Sequence, residues 1–376
     1  MRPVNHPPVV LFLGNGRSYH TLDWFRSAQK LNPDNQPVLI TDLIVGESFK
    51  KLITENDLVR KLLILDKFLF KKQCRLGDIW RNILKLLAFP IQIVKLRRIL
   101  KTYENPIVHA HAMYYIALAR FTADKYVATP QGSELLVRPY KSLAYRFFSD
   151  VALARASRIT VDSSAMQKSL RNLFNLDAQV VQNGVDLDSI MSLRSTGITR
   201  NNLVSIRGFS SNYQIDLLLK AREKDAPDTP IHFCYPFVEA EYKDSLKNSI
   251  IDKDKDLGRL DRLDLYKLLL SAKLVISIPS SDSSPRSVYE AIFCNCIVAV
   301  TNGAWISQLP KCMFSRLIVV DPYSEFWLRD ALAFANACAD IPYVPSSQAI
   351  DLFDQKRSMQ KFYEEIYPSF TSIGYS

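Results

Sequence analysis

The stretch that most constrains the fold runs from residue 273 to residue 303. Residues 274–278 form an apolar run with the length of a buried strand, and Pro279 and a serine cluster end it. Apolar residues then return at helical spacing over 287–293, and a second apolar run follows at 297–300. Strand, polar loop, helix and strand make a βαβ unit, which opens a ligand crevice at the carboxyl ends of its strands.

Two carboxylates lie in this unit, Asp282 in the crevice loop and Glu290 eight residues later in the helix. This pair, followed by Ala291, resembles the E-x7-E motif of the retaining glycosyltransferases of family 4. An Asp replaces the first Glu, and serines replace the glycines that usually follow it. The resemblance implies that Asp282 contacts the donor sugar, that Glu290 binds the nucleotide ribose, and that the backbone near Ser284 approaches the donor diphosphate. The alternative is a solvated loop acid beside an unrelated helix acid.

The first predicted strand, at 9–13, leads directly into Gly14-Asn15-Gly16 and a helix predicted over 20–31. A glycine turn between a strand and a helix brings backbone N–H groups close to phosphate. In the family this loop approaches the donor diphosphate or the acceptor, and Gly14 and Gly16 are the matching positions. A plain tight turn is the alternative.

Two histidines end a short strand at 107–112, and we expect their side chains to point to opposite faces. His111 matches the second His of the family's H-x-H site, which implies a place beside the donor sugar and the acceptor; His109 is expected to be packed and hydrogen-bonded. The sequence Gln131-Gly132-Ser133-Glu134 resembles the family's H-G-S-D loop. That similarity implies that Gly132 and Ser133 offer donors to an acceptor.

The motif Asn183-Gly184-Val185-Asp186 resembles the family's P-N-G-V-D turn and closes the first half of the chain, with Gln182 in place of the Pro. Residues 187–202 are the predicted linker.

A strand predicted at 203–206 then leads into Arg207, which matches the family's diphosphate-binding arginine. A guanidinium suits phosphate because it donates several aligned hydrogen bonds. The lysine expected about six residues later is missing, and Tyr213 and Gln214 occupy that neighbourhood. Arg286, Lys220 or a helix N-terminus are candidate substitutes. Further on, Gly258 matches the backbone segment that reads the nucleotide base; a simple turn is the alternative.

The net charge of +10 is concentrated in one window. Residues 60–101 contain 12 Lys and Arg against two acids, so they account for the whole excess. Apolar residues interleave with these cations, and Pro90 is expected to start or kink a helix there. Such a helix suits an anionic lipid surface, and the alternative is a core helix with a solvated charged face. A nucleic-acid partner is not expected, because no nucleic-acid module is recognisable.

Six scattered cysteines, with no C-x2-C pair, favour a reduced cytosolic compartment over a disulfide framework or a metal site. We expect no signal peptide, because a cationic start, an apolar region and a cleavage site are missing. No apolar run approaches the roughly 18 to 20 residues that span a bilayer.

These observations predict an α/β protein of GT-B architecture, with two Rossmann-like, doubly wound parallel-sheet domains facing a cleft. The expected domains are residues 1–190 for the acceptor, with the basic region at 60–101, and 203–352 for the nucleotide sugar. A final helix at 353–376 is expected to cross back to the first domain.

The expected function is a retaining glycosyltransferase that needs no metal or cofactor. It would move a sugar from a nucleoside-diphosphate donor to a hydroxyl of a glycan or polyprenyl-linked acceptor in cell-surface polysaccharide biosynthesis, at the inner face of the cytoplasmic membrane. The alternative is a catalytically degenerate scaffold that acts as a binding partner.

Overall fold

The computed structural model describes residues 8–70, 75–194, 199–339 and 341–371. It divides into two compact units. Unit 1 contains Met1–Asn183 and Gln355–Ser376, and unit 2 contains Gly184–Asp354. Each unit has its own parallel sheet with helices on both faces.

The strands are short and mostly apolar. In chain order they are β1 (Val10–Leu13), β2 (Val38–Thr41), β3 (Val59–Lys61), β4 (Ile107–His111), β5 (Tyr126–Thr129), β6 (Arg158–Val161), β7 (Gln179–Val180), β8 (Asn202–Ser205), β9 (Ile231–Cys234), β10 (Lys255–Gly258), β11 (Ala272–Ser277), β12 (Ile297–Val300) and β13 (Leu317–Val319).

The α-helices connect these strands. They are α1 (Tyr19–Leu31), α2 (Glu47–Leu52), α3 (Arg75–Leu100), α4 (Met113–Arg120), α5 (Gly132–Leu136), α6 (Arg138–Lys141), α7 (Leu143–Leu153), α8 (Ser164–Phe174), α9 (Leu187–Leu193), α10 (Ile215–Asp225), α11 (Ala240–Ser245), α12 (Arg262–Leu270), α13 (Arg286–Phe293), α14 (Trp327–Ala337), α15 (Ser347–Phe353), α16 (Gln355–Lys361) and α17 (Pro368–Thr371).

Unit 1 is built on a seven-stranded sheet with the order β3-β2-β1-β4-β5-β6-β7, and all its strand pairs are parallel. The order reverses between β1 and β4, which is where ligands bind in sheets of this kind. The C-terminal segment covers one face: the rings of Trp24 on α1 and Phe362, which follows α16, meet edge to face at 4.9 Å.

Unit 2 repeats this arrangement with six parallel strands in the order β10-β9-β8-β11-β12-β13. Its order reverses between β8 and β11. The doubly wound GT-B class expected from the sequence is therefore confirmed: both units contain the Rossmann-like sheet, and each sheet has one switch point.

The structure corrects several boundaries. Residues 184–190, which the sequence analysis placed in the first domain, group with unit 2. The expected linker contains α9, because the Asp186 carboxylate accepts from the Ser189 N–H at 3.1 Å and caps a helix. Pro90 does not start a helix; it lies inside α3. None of the helices in the described part of the chain is long and apolar enough to cross a bilayer.

Candidate active site

The switch point of unit 2 brings together two of the predicted site residues. Strands β8 and β11 pair in parallel, so the loops that follow them leave the same edge of the sheet. The loop after β8 carries Arg207, and the loop after β11 carries Asp282. Because these loops belong to adjacent strands at the reversal of strand order, they define the ligand crevice of this sheet.

Arg207 is held from three sides. Its Nη2 lies 2.8 Å from Asp282 Oδ2, and its Nε donates to Ser277 Oγ at 2.6 Å. The guanidinium carbon lies 5.5 Å from the centre of the Tyr213 ring. The side chains of Arg207 and Asp282 are only 11% and 18% exposed. The arginine therefore stands in a fixed position at the crevice, with its charge partly neutralised by the carboxylate.

The loop after β11 is tied to the turn that follows β8. The N–H of Ser280 donates to the Asn212 carbonyl at 2.7 Å, and the Asn212 side chain donates to the Ser281 carbonyl at 3.2 Å. Asp282 Oδ1 accepts from the Ser284 N–H at 3.3 Å. The Ser284 amide thus has an internal partner, so a diphosphate would have to displace that bond to use it.

Glu290 is buried on α13, with 5% of the residue exposed. Its Oε1 accepts from the Tyr266 hydroxyl at 3.3 Å and lies 3.4 Å from Arg286 Nε, one helical turn earlier. Burial raises the pKa of Tyr266 well above its ordinary value, so the phenol keeps the proton that it donates. Tyr266, which the sequence analysis did not single out, therefore orients the carboxylate expected to bind ribose.

Gly258 ends β10 with a φ of +57°, and a Cβ placed there would meet nothing within 4 Å. Backbone conformation alone explains this glycine. Its carbonyl accepts from the Tyr235 N–H at 2.9 Å.

The glycine turn of unit 1 is a packed connection. A Cβ on Gly16 would lie 2.4 Å from the Leu43 carbonyl oxygen, and one on Gly14 would lie 2.7 Å from the Thr21 side chain. The Gly14 N–H donates to the Ile40 carbonyl, and the Gly16 N–H donates to Thr41 Oγ1 at 2.8 Å. Both amides are engaged inside unit 1, which favours the tight-turn interpretation of these glycines over a phosphate cradle.

His109 and His111 lie on the same face of β4, so the expectation of opposite faces is wrong. Residues two apart in a strand share a face, and the two rings stack with their centres 4.3 Å apart. His109 contacts the Tyr367 hydroxyl at 2.9 Å and Thr129 Oγ1 at 2.7 Å. His111 Nε2 is buried and has no hydrogen-bond partner within the described chain.

Burial is the main reason that the pKa of His111 is lowered to about 3, with a smaller effect from His20. The imidazole is therefore neutral at physiological pH. It can accept or donate a hydrogen bond, but it brings no positive charge to the site.

The residue after His111 has a strained backbone. Ala112 adopts φ 69° and ψ 148°, a region that L residues rarely occupy and that costs about 1–3 kcal/mol. Glu134 holds this corner together, because its Oε2 accepts from both the Met113 and the Gln131 N–H groups at 2.9 Å. Gly132 and Ser133 form the first turn of α5, inside the capping box made by Gln131 and Glu134.

Asn183 of the Asn-Gly-Val-Asp motif also belongs to this edge of unit 1. Its Nδ2 lies 3.1 Å from His20 Nδ1, and its buried Oδ1 has no partner within the described chain. His20 was not among the predicted site residues, because a single histidine near a helix start has no recognisable pattern. Nowhere in the described residues do three or more His, Cys, Asp or Glu side chains converge as a metal-binding group would.

Comparison with known proteins gives one family match and several solved structures with the same fold. Residues 74–189 match the family model described as Glycosyltransferase Family 4. Among curated proteins, none matches this sequence. The chain is similar in structure to the HepE protein of Anabaena, solved with UDP and glucose, with a TM-score of 0.69, 16% identity, and coverage of 95% of this chain and 98% of that one.

Two further solved structures share the fold. A glycosyltransferase from Rickettsia africae aligns with a TM-score of 0.69 and 15% identity over 98% of this chain and all (100%) of that one. The sucrose-phosphate synthase of Thermosynechococcus elongatus aligns with a TM-score of 0.68 and 12% identity over 97% of this chain and 100% of that one. At these identities, the structural likeness establishes the fold.

The fold and the family match together define the class of protein: the chain is a glycosyltransferase of the GT-B fold. Within that class, part of the chain is similar to glycosyltransferase family 4. The match to the family model is confined to residues 74–189, so it includes His111, Gly132 and Ser133 and excludes Arg207, Asp282 and Glu290.

Proposed function

We propose that the chain is a retaining, metal-independent transferase that moves a sugar from a nucleoside-diphosphate sugar to a hydroxyl group of a glycan or lipid-linked acceptor. The observation that carries the proposal is the buried pair of Arg207 and Asp282 at the switch point of unit 2. In a sheet of this kind the switch point is where a nucleotide binds, and residues 74–189 match the model of a glycosyltransferase family.

In this proposal the leaving group is a diphosphate, and catalysis is mainly stabilisation of the charge that develops on it. Arg207 provides that stabilisation because its guanidinium is already fixed by Ser277. Asp282 receives hydroxyl groups of the donor sugar, and Glu290, held by Tyr266, receives the ribose. Gly258 offers a backbone edge to the base. The solved structure of HepE contains UDP and glucose, so a uridine nucleotide is the first donor to test.

On the acceptor side we assign the neutral imidazole of His111 to the sugar and the incoming hydroxyl. Its buried Nε2 without a partner is the group that a ligand hydroxyl can satisfy. Gly132 and Ser133 remain proposed acceptor contacts. A polyprenyl-linked glycan of a cell-surface polysaccharide pathway, at an anionic inner membrane face, is the proposed acceptor and setting.

A degenerate scaffold that binds a nucleotide without transferring sugar is the second candidate. Tyr213 occupies the neighbourhood where the family has a second cation, and Asp282 already neutralises Arg207. Arg286 is the cation that could replace the missing lysine, since it lies in the same loop-to-helix segment as Asp282. Transfer of sugar to any acceptor would exclude the degenerate scaffold.

The test is thermal unfolding in the presence of UDP-, GDP-, dTDP- and ADP-sugars, repeated on Glu290→Gln. A ligand at one hundred times its Kd adds about 2.7 kcal/mol. For a domain of 150 to 250 residues this raises Tm by about 5–10 °C. We expect one donor to stabilise the parent and to lose most of that effect in Glu290→Gln.

The matched control is Glu241→Gln, because Glu241 is an exposed glutamate of the same unit. It should respond to the donor as the parent does. If no nucleotide sugar stabilises the parent, or if Glu290→Gln responds fully, the donor-site assignment fails. Donor binding without turnover of any acceptor would instead favour the degenerate scaffold.

A further inference from the structure

Helix α3 in unit 1 differs from an ordinary surface helix in two ways: polar side chains are buried beside its core residues Ala88 and Leu96, and apolar side chains are exposed. Among the buried polar side chains, Gln92 is fully buried and donates to Asp42 Oδ2 and to the Leu63 carbonyl, both at 3.2 Å. Lys85 Nζ lies 3.6 Å from the same buried Asp42. A surface helix normally directs such groups to water and its apolar residues to the core.

The outward side of α3 carries a stripe of exposed apolar residues over about four turns. The exposed apolar residues recur three or four positions apart, which places them on one stripe of the helix; they are Ile79 (49% exposed), Ile83 (44%), Leu87 (66%), Ile91 (57%) and Val94 (50%), with Leu86 (73%) beside them. We call this stripe the apolar ridge. From residue 79 to residue 94 it is about 22 Å long.

The ridge continues beyond the helix. Trp80 Nε1 donates to the Phe68 carbonyl at 2.7 Å, which holds the preceding segment against α3. The side chains of Phe68 and Phe70 in that segment are 59% and 60% exposed. Contiguous apolar surface of this extent is rare on a protein that meets only water.

A groove lies at the C-terminal end of the ridge, between α3 and the edge strand β3. Its volume is about 650 Å³, and it is lined by Arg60, Ile91, Val94, Lys95, Arg98, Ile99 and Thr102. Three of these residues are cations and three are aliphatic. Arg60 donates to the Tyr103 hydroxyl and Lys95 to the Leu62 carbonyl, each at 3.2 Å, so both bond to uncharged oxygens that leave the positive charges unneutralised.

This combination selects an amphipathic anion. An aliphatic floor requires hydrocarbon, and three cations at the rim require a negative group at one end of that hydrocarbon. Neither a sugar nor a nucleotide combines an anionic group with hydrocarbon, and nucleic acid would leave the apolar ridge exposed. The charge complementarity therefore identifies the occupant as the surface of a bilayer that contains acidic phospholipid.

We propose that the groove binds the phosphate and the first acyl carbons of an acidic phospholipid, while the apolar ridge lies in the bilayer interface. The inference rests on the membrane surface named in the proposed function and gives its docking site in unit 1. It uses none of the donor-site residues of unit 2.

The experiment is co-sedimentation of the full chain with vesicles of phosphatidylcholine alone and of phosphatidylcholine with phosphatidylglycerol. We expect binding to the acidic vesicles, weakening as salt rises, and little binding to neutral ones. Replacing two rim cations, Arg60→Gln with Arg98→Gln, should weaken binding to acidic vesicles by about tenfold or more. Replacing two ridge residues, Leu87→Gln with Ile91→Gln, should weaken it at any salt concentration.

Two exposed residues of unit 2 supply matched controls, Lys311→Gln for charge and Val344→Gln for apolar surface; neither should change vesicle binding. Equal binding to neutral vesicles, or unchanged binding by the rim variant, would overturn the proposal. The proposal would also be overturned if inorganic phosphate, added at the same concentration as the lipid, abolished vesicle binding. The groove would then be a site for free phosphate. If the parent is a dimer and the ridge variant is a monomer, the ridge is instead an interface with a second copy of the chain.

The donor thermal-shift assay separates this proposal from the proposed function. Rim and ridge variants should keep the response to the nucleotide sugar that stabilises the parent. If the chain binds acidic vesicles as described but responds to no nucleotide sugar, the docking site stands and the donor assignment fails. If it responds to a donor but binds no vesicle, the docking site fails alone.

Discussion

Lowering the pH should destabilise unit 1 through His111. The folded protein keeps this imidazole neutral down to a pKa of about 3, whereas an unfolded chain protonates it near 6.5. Below pH 6.5 the unfolded state therefore takes up a proton that the native state does not, and stability falls as pH falls until about pH 3. At pH 5 the loss amounts to about 2 kcal/mol, because each pH unit below 6.5 is worth about 1.36 kcal/mol.

The measurement is urea unfolding, followed by circular dichroism at several values between pH 7.5 and pH 5, of the parent and of His111→Gln. Other titrating groups contribute to both proteins, so the informative quantity is the difference between the two curves. Between pH 7.5 and pH 5, the free energy of unfolding of the parent should fall by about 2 kcal/mol more than that of the variant. Burial also lowers the pKa of His109, and that contribution remains in both proteins, whereas the smaller lowering that comes from His111 is lost in the variant.

Parallel curves for the parent and the variant would refute the reasoning. They would mean that His111 is protonated in the folded protein, or that water reaches its Nε2. The proposed role would then change too, because a cationic imidazole would act on the diphosphate rather than on a neutral hydroxyl.

Two further substitutions test the glycine turn and the missing cation. Gly16→Ala places a methyl group 2.4 Å from a main-chain oxygen and should cost about 1–3 kcal/mol of unfolding free energy in urea. Gly46→Ala, whose nearest neighbour would lie at 3.5 Å, should cost less than about 0.5 kcal/mol. Tyr213→Lys returns a cation beside Arg207 and should tighten UDP binding in calorimetry by about tenfold, the value of one charge-assisted hydrogen bond; unchanged affinity would place the diphosphate elsewhere.

The sequence predicted the central strands well for a physical reason. A parallel strand covered on both faces must be apolar throughout, so β1 and β12 stand out as uninterrupted apolar runs. The edge strands β3 and β10 gave no such signal. Each has one covered side at most, and residues such as Lys61 and Lys255 are exposed.

The site was predicted unevenly for the same kind of reason. A motif such as Asp-x7-Glu is local, so Asp282 and Glu290 could be found from spacing. The hydrogen bond from Arg207 to Ser277 joins residues 70 positions apart in the chain, and no local sequence pattern indicates it. Likewise, the composition of α3 predicted a basic, apolar helix, but it did not show that Gln92 and Lys85 turn inward to the buried Asp42.

The pairing of Arg207 with Asp282 has a consequence for how a donor binds. An unpaired guanidinium that is nine-tenths buried would be costly, so the carboxylate of Asp282 stabilises Arg207 in this position. A diphosphate that enters the crevice competes with Asp282 for the same nitrogen. Once the diphosphate has displaced it from Arg207, the carboxylate of Asp282 lies beside the leaving group. There it can accept hydrogen bonds from the hydroxyl groups of the sugar, as the proposed function requires. Binding of the diphosphate and binding of the sugar are therefore coupled through one arginine, and a free nucleoside diphosphate should bind less tightly than its sugar conjugate because it leaves Asp282 without a partner.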